Sequence, residues 1–194
     1  RFLRLHPHNI AQKTEIMVEH FNTMTRHKIG GKAKAMVVTG SRLEAVHYKE
    51  AFDHYIQEKG YPIKTLVAFS GTVIDDQIPA KTYTEEGMNQ GIREKALPEK
   101  FATAEYQVLL VAEKYQTGFD QPLLHTLYVD KRLAGIQAVQ TLSRLNRIHP
   151  LKEDTFILDF VNDPQEIQDA FQPFYEGAVI GERADPARLY ELKA

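Results

Sequence analysis

The sequence contains no cysteine, and its formal charges nearly cancel, with 24 Lys and Arg against 26 Asp and Glu for a net charge of −2. Without cysteine there is no disulfide and no thiolate metal site, a composition compatible with a reducing compartment. The near balance of charge excludes a dedicated, autonomous DNA-binding domain, in which a basic excess is expected. Any nucleic-acid contact must then be local, or shared with another part of a larger protein. No apolar run approaches the roughly 20 residues needed to cross a bilayer, so no membrane contact is expected, and the start at Arg1 lacks a secretory pattern. Neither an internal repeat nor a low-complexity tract is present. Three phosphate-related motifs are also missing: the Gly-x-x-x-x-Gly-Lys-[Ser/Thr] loop, the Asp-Glu-x-[His/Asp] Mg²⁺ motif and the Gly-x-Gly-x-x-Gly fingerprint. A self-contained phosphate-loop ATPase is thereby excluded.

What is present is an ordinary globular composition, 43% hydrophobic and 26% charged over 194 residues, enough for one domain with a proper core. Asn9 is a candidate cap for a helix over 10–27, with Ile10, Met17, Phe21 and Met24 as its apolar stripe and Gly30-Gly31 as its end. Apolar runs at 35–39, 64–70, 106–112, 124–129 and 155–160 read as strands. Between them lie helical stretches, the first marked by Ser41 and Glu44 as a capping box and running to Lys59, the last starting at Pro164 and running to about Phe171. Strands of this length alternating with helices imply an α/β fold with a mostly parallel sheet covered on both faces. The organisation expected is an N-terminal helical arm at 1–31, the α/β domain at 32–172 and the start of a following segment at 173–194. Residues 71–83 read as a polar loop in which Asp75 and Asp76 are simply solvated.

Ligands of such sheets collect at the carboxyl ends of strands. Those ends carry Thr39-Gly40-Ser41-Arg42, Ser70-Gly71 and the stretch from Ala112 to Asp120. Strand, glycine turn and helix start place free N–H groups where an anion can bind, and Arg42 is a candidate phosphate-backbone contact. Asp120, after Gly118 and Phe119, can hydrogen-bond a ribose hydroxyl or hold a cation, and Gly118 permits close backbone approach. Further on, a helix is expected over 135–147. At 100° per residue it puts Gln140, Arg144 and Arg147 within an arc of about 60°, opposite Ala138, Leu142 and Leu145. Arginine suits planar, multi-donor recognition of phosphate or carboxylate. An ordinary solvated helix face is the bland alternative.

The order strand, Thr117-Gly118-Phe119-Asp120-Gln121-Pro122, strand, then Gln140-x-x-Ser143-Arg144-x-x-Arg147 resembles motifs V and VI of superfamily two helicases and translocases. Leu109 to Asp120 and Gln140 to Pro150 look most like the R subunit of type I restriction enzymes. The likeness spans about Lys34 to Asp163, with Val37 to Arg42 standing at motif IV. The resemblance implies a RecA-like second motor domain, a helper in ATP-driven translocation of duplex DNA that leads to cleavage. It implies Arg144 and Arg147 as arginine fingers toward the γ-phosphate of ATP held by a first RecA-like domain, with Gln140, Gly118 and Asp120 also on the nucleotide side. Thr39, Ser41, Arg42, Ser70 and Gly71 would face the DNA backbone. Relatives often carry Thr or Ser where this chain has Ala112-Glu113, leaving Lys114 and Thr117 as substitutes by position.

ATP and Mg²⁺ are the cofactors so implied, with no metal ligand in this chain. The implied partners are duplex DNA, the first RecA-like domain and the nuclease domain of the same chain, and modification and specificity subunits, in the cytoplasm. The chain is expected to be an excised fragment, inactive alone for want of the phosphate-loop, Mg²⁺-binding and nuclease motifs. Another superfamily two translocase, or a non-catalytic Rossmann-like binding module, are the alternatives.

Overall fold

A buried strand must pair its backbone groups laterally, and five short runs rich in Val, Leu and Ile do so in one sheet. In the computed structural model, which describes residues 5–75, 81–115 and 119–176, the chain order is as follows. Helix α1 (Pro7–Thr23) and a short kinked helix α2 (Lys28–Gly31) precede strand β1 (Lys34–Thr39). Helix α3 (Arg42–Lys59) leads to β2 (Thr65–Ala68), a hairpin of β3 (Thr72–Ile74) and β4 (Thr82–Thr84), and short helices α4 (Glu85–Met88) and α5 (Leu97–Ala102). Then come β5 (Val108–Val111), β6 (Leu124–Asp130), α6 (Ile136–Leu142), β7 (Phe156–Asp159) and α7 (Pro164–Glu176).

The main sheet has the order β2-β5-β1-β6-β7 and every pairing in it is parallel. Side chains alternate between its faces. Val37, Val67, Leu110 and Tyr128 join α1 and α3 in one core, while Met36, Leu66, Leu109 and Leu127 join α5, α6 and α7 in the other. Both faces are dry, which is why β1, β2, β5 and β6 read as unbroken apolar runs rather than as alternating ones.

The first helix starts earlier than expected, because His6 caps it and Pro7 occupies a first-turn position, and it stops at Thr23, leaving Met24 half exposed. Ile10, Met17, Val18 and Phe21 lie in the same core as α3 and the sheet, so this helix packs as part of the domain. The capping box forms as expected: Glu44 N–H donates to Ser41 Oγ at 3.2 Å and Gly40 N–H to Glu44 Oε2 at 2.8 Å. The stretch read as a polar loop after β2 is instead the β3–β4 hairpin. At the other end, α7 runs past 172/173 to Glu176. Among the described residues no helix is long and apolar enough to cross a membrane.

Candidate functional site

The loop between β5 and β6 decides where the site lies. Val111, the end of β5, pairs with Val38 near the end of β1, whereas Leu124, the start of β6, pairs with Lys34 at its beginning. The loop therefore travels back along the sheet, roughly 17 Å for a six-residue strand. Asp120 belongs to the amino end of β6, not to the carboxyl end where the sequence placed it. Phe119 anchors the return: it is buried beside Phe101 and Tyr115, with ring centroids 6.1 and 4.9 Å away.

There Asp120 meets Arg147. Arg147 Nε donates to Asp120 Oδ1 at 2.8 Å, with both side chains at least half exposed. The helix bearing the arginines is shorter than expected. It opens at Gly135, whose φ of +50° suits glycine, stays α-helical to Leu142 and tightens into a 3₁₀ turn over Ser143–Asn146, leaving Arg147 in extended backbone. The 3₁₀ turn shifts Arg144 off the helical register and the extended backbone at Arg147 leaves it altogether, so the shared polar face does not form. Arg144 turns inward beside Leu145, 7% exposed, with Nη1 at 3.5 Å from Met36 Sδ and Nη2 buried without a partner. Burial holds its guanidinium down at about 10. The expectation of two arginines projecting together is corrected to one exposed arginine and one buried beneath it. Gln140 is half-buried on α6, and Gly118 and Thr117 lie outside the described residues.

At the carboxyl edge, Arg42, Ser70 and Gly71 do come together. Arg42 Nη1 donates to Ser70 O at 2.8 Å, and all three residues are exposed. Gly71 has φ +73°, and a Cβ there would come within 3.2 Å of Arg42 Nη1, so the turn and the guanidinium pack without spare room. Ser41 is the half-buried cap of α3. Thr39 is not available to a ligand. Fully buried, its hydroxyl donates to Val111 O at 2.9 Å and ties β1 to β5. Lys114 is not free either: its ammonium lies 2.7 Å from Glu85 Oε2 and 2.8 Å from Glu94 Oε1, and it is 11% exposed. Glu85 Oε2 also accepts the Phe69 N–H, so the same carboxylate holds the end of β2 and the loop after β5. Glu113 and Tyr115, on either side of Lys114, have φ near +55° and +59°, a strained backbone for non-glycine residues that surrounding contacts must enforce.

Two residues were undervalued in the sequence. Asp75 is not solvated but buried, with Oδ2 2.7 Å from His47 Nε2; Asp76 lies outside the described residues. Lys152, two residues past Pro150, has its ammonium on the carbonyls of Leu145 and Arg147. No motif spacing announces either pairing. A Glu-x-Lys triplet, Glu191-Leu192-Lys193, does occur in the sequence and lies outside the described residues.

A five-stranded parallel sheet of order β2-β5-β1-β6-β7, covered on both faces and followed after β6 by an arginine-bearing helix, defines an α/β domain of RecA-like fold. Residues 78–162 match the family model of type I restriction enzyme subunit R domain 3. A Methanocaldococcus jannaschii protein named as the type I restriction enzyme MjaVIIP endonuclease subunit is 30% identical over 167 residues, covering 81% of this chain and 15% of that one. The type I restriction enzyme HindI endonuclease subunit of Haemophilus influenzae is 30% identical over 90 residues, 45% of this chain and 8% of that one. Among solved structures, a Vibrio vulnificus fragment described as an HsdR subunit of a type I restriction enzyme superposes with a TM-score of 0.55 at 17% identity, covering 94% of this chain and 32% of that one. Together these likenesses support a domain of the type I restriction enzyme R subunit. The chain spans about 15% of the length of the curated relatives it matches over most of its own length.

Proposed function

We propose that this chain is the second RecA-like motor domain of a type I restriction enzyme R subunit, acting in ATP-driven translocation of duplex DNA that leads to cleavage. The Arg147–Asp120 pair carries this reading. It brings the two sequence motifs into one exposed site, with a guanidinium fixed through Nε by a carboxylate. Phosphoryl transfer calls for positive charge where negative charge builds up, from groups already oriented. Arg147 fits that demand. Arg144 as it stands fits poorly, because its guanidinium is enclosed by the core. When bound, ATP with Mg²⁺ supplies the phosphoryl chemistry; Arg147 binds anionic charge, Asp120 orients Arg147, and Gln140 and Gly118 flank them in sequence.

The nucleotide would be held mainly by a first RecA-like domain of the same chain, with a nuclease domain beyond and modification and specificity subunits completing a cytoplasmic complex. DNA would run along the opposite, carboxyl edge, where Arg42, Ser70 and Gly71 offer a sequence-independent, salt-sensitive contact to phosphates. Half a nucleotide site leaves the chain alone without ATP turnover. The test is DNA-stimulated ATP hydrolysis by the full-length R subunit carrying Arg147→Ala. A loss approaching the roughly 10³–10⁵-fold attached to arginine fingers is expected, with poor rescue by Arg147→Lys, which keeps the charge but not the planar fork. Unchanged hydrolysis would sink the proposal.

A further inference from the structure

Arg147 stands one residue beyond the 3₁₀ turn, in extended backbone with φ −72° and ψ 128°. No helical hydrogen bond sets its main chain there, and carbonyls at a helix end lack intrahelical partners. Lys152 fills this gap from five residues downstream. Its Nζ donates to Leu145 O at 2.6 Å and to Arg147 O at 3.0 Å. The intervening turn is closed by Lys152 N–H to His149 O at 2.9 Å and by Leu151 N–H to His149 Nδ1 at 3.2 Å. The ammonium and guanidinium are like charges on neighbouring groups, and burial together with Arg147 lowers the Lys152 pKa to about 8. An ammonium kept there against both influences is held by the two carbonyls. Main chain and side chain of Arg147 are thus fixed by different residues, Lys152 by hydrogen bonds to carbonyls and Asp120 by an ion pair.

We propose that Lys152 is a positioning residue for Arg147, setting the main-chain conformation from which its guanidinium is presented. The inference rests on the function proposed above. Misplacing a catalytic group by about 1 Å can lower a rate by about 10²-fold, and the Asp120 contact, being exposed, is too soft to correct the main chain by itself.

The experiment measures DNA-stimulated ATP hydrolysis by full-length R subunit with Lys152→Met, Lys152→Arg, Arg147→Ala and the Lys152→Met/Arg147→Ala double variant. Lys152→Met is expected to lower kcat by about 10- to 100-fold with KM for ATP changed less than about threefold. Lys152→Arg, which keeps charged donors for the carbonyls, is expected to recover a substantial part of kcat. In the Arg147→Ala background Lys152→Met should add almost nothing, because groups acting through one another are not additive; a merely structural role would add its full effect. An unaltered kcat in Lys152→Met beside a crippled Arg147→Ala overturns this inference and leaves the proposed function standing. Additive effects overturn it too. If Lys152→Met fails to fold, the Arg variant decides: normal thermal unfolding with kcat as low as Arg147→Ala refutes positioning by a charged donor. An Arg147→Ala variant that hydrolyses ATP as fast as the parent removes the proposed function and this inference together.

Discussion

Arg147 and Asp120 lie 27 residues apart in sequence, yet Nε of one donates to Oδ1 of the other at 2.8 Å. The contact exists because the loop after β5 folds back along the sheet and the arginine-bearing turn leaves its helix one residue early. Side chains 50% and 70% exposed form a pair that does little for stability, about 0–1 kcal/mol. Asp120→Ala is therefore expected to leave urea unfolding within about 0.5 kcal/mol of the parent while lowering ATP hydrolysis of the full-length subunit about tenfold or more, as a misoriented guanidinium should. A stability loss of several kcal/mol with normal hydrolysis would assign the pair to the fold instead.

Arg144 makes the opposite prediction. Its guanidinium is buried against Met36 Sδ, with Nη2 unpartnered. Buried charge without a counter-ion is unfavourable, and replacing it by an apolar side chain of similar volume is often neutral or stabilising by about 1–4 kcal/mol. Arg144→Met should match or exceed the parent in urea unfolding, and Arg144→Ala should fall below Arg144→Met by about 2 kcal/mol because it leaves a cavity. Equal stability for both variants would mean the side chain is not enclosed. A helical wheel, which treats Arg144 and Arg147 as equivalent surface residues, predicts no difference at all.

Strand positions and the capping box were legible because each follows from local chemistry: β-branched runs that need burial on two faces, and a Ser-x-x-Glu spacing that satisfies helix N–H groups. The arginine helix was legible as an element but not in its last turn. Whether residues 143–146 wind as α or 3₁₀, and whether the Arg144 side chain folds inward, depend on tertiary packing that a helical wheel does not contain. Asp120 was assigned to the wrong end of the sheet for a related reason: a parallel sheet demands that the connection from β5 to β6 run back along it, but the residues from Ala112 to Leu123 do not say how far along that return Asp120 falls. Asp75 was misjudged because its partner, His47, lies 28 residues away on α3. Short-range spacing cannot find such pairs.

Arg42 offers a test of the carboxyl edge. Arg42 is exposed, and among the described residues its guanidinium is tied to a carbonyl, Ser70 O. In the full-length subunit, Arg42→Ala should weaken duplex DNA binding about equally for all sequences and reduce the slope of log K against log salt by about 1, one phosphate contact's worth. Thr39→Val is the control. With its hydroxyl bonded to Val111 O inside the sheet, it should leave DNA affinity unchanged and lower stability by about 1 kcal/mol. A DNA defect in Thr39→Val without one in Arg42→Ala would reverse the assignment.

A chain of buried hydrogen bonds beneath β6 and β7 sets a pH dependence. His125 Nε2 lies 2.9 Å from Asp154 Oδ1, and its Nδ1 lies 2.9 Å from Thr126 Oγ1, which in turn is 2.9 Å from Thr25 Oγ1. In the neutral form His125 donates Nε2–H to the carboxylate, and Nδ1 accepts from the Thr126 hydroxyl, itself an acceptor from Thr25. Protonation at Nδ1 would reverse the chain, with Nδ1–H donating to Thr126 Oγ1 and the Thr126 hydroxyl turning to donate to Thr25 Oγ1. Burial holds the His125 pKa below its ordinary 6.5 despite the Asp154 carboxylate, with Lys28 and Lys152 acting in the same direction; His20, stacked on Phe156, is lowered by burial and by His125. In the window between these lowered values and 6.5 the unfolded chain binds more protons than the folded one, so stability rises with pH there. The contribution is fully present above about 6.5 and is lost as pH falls through the folded values. Urea unfolding from pH 7.5 down to pH 5 should show a progressive loss that His125→Gln reduces, and an NMR titration should find the Nε2–H tautomer persisting below pH 6.5. An imidazole that titrates at or above 6.5 in the folded chain, or stability that climbs on acidification, would reverse the sign and refute the tautomer assignment.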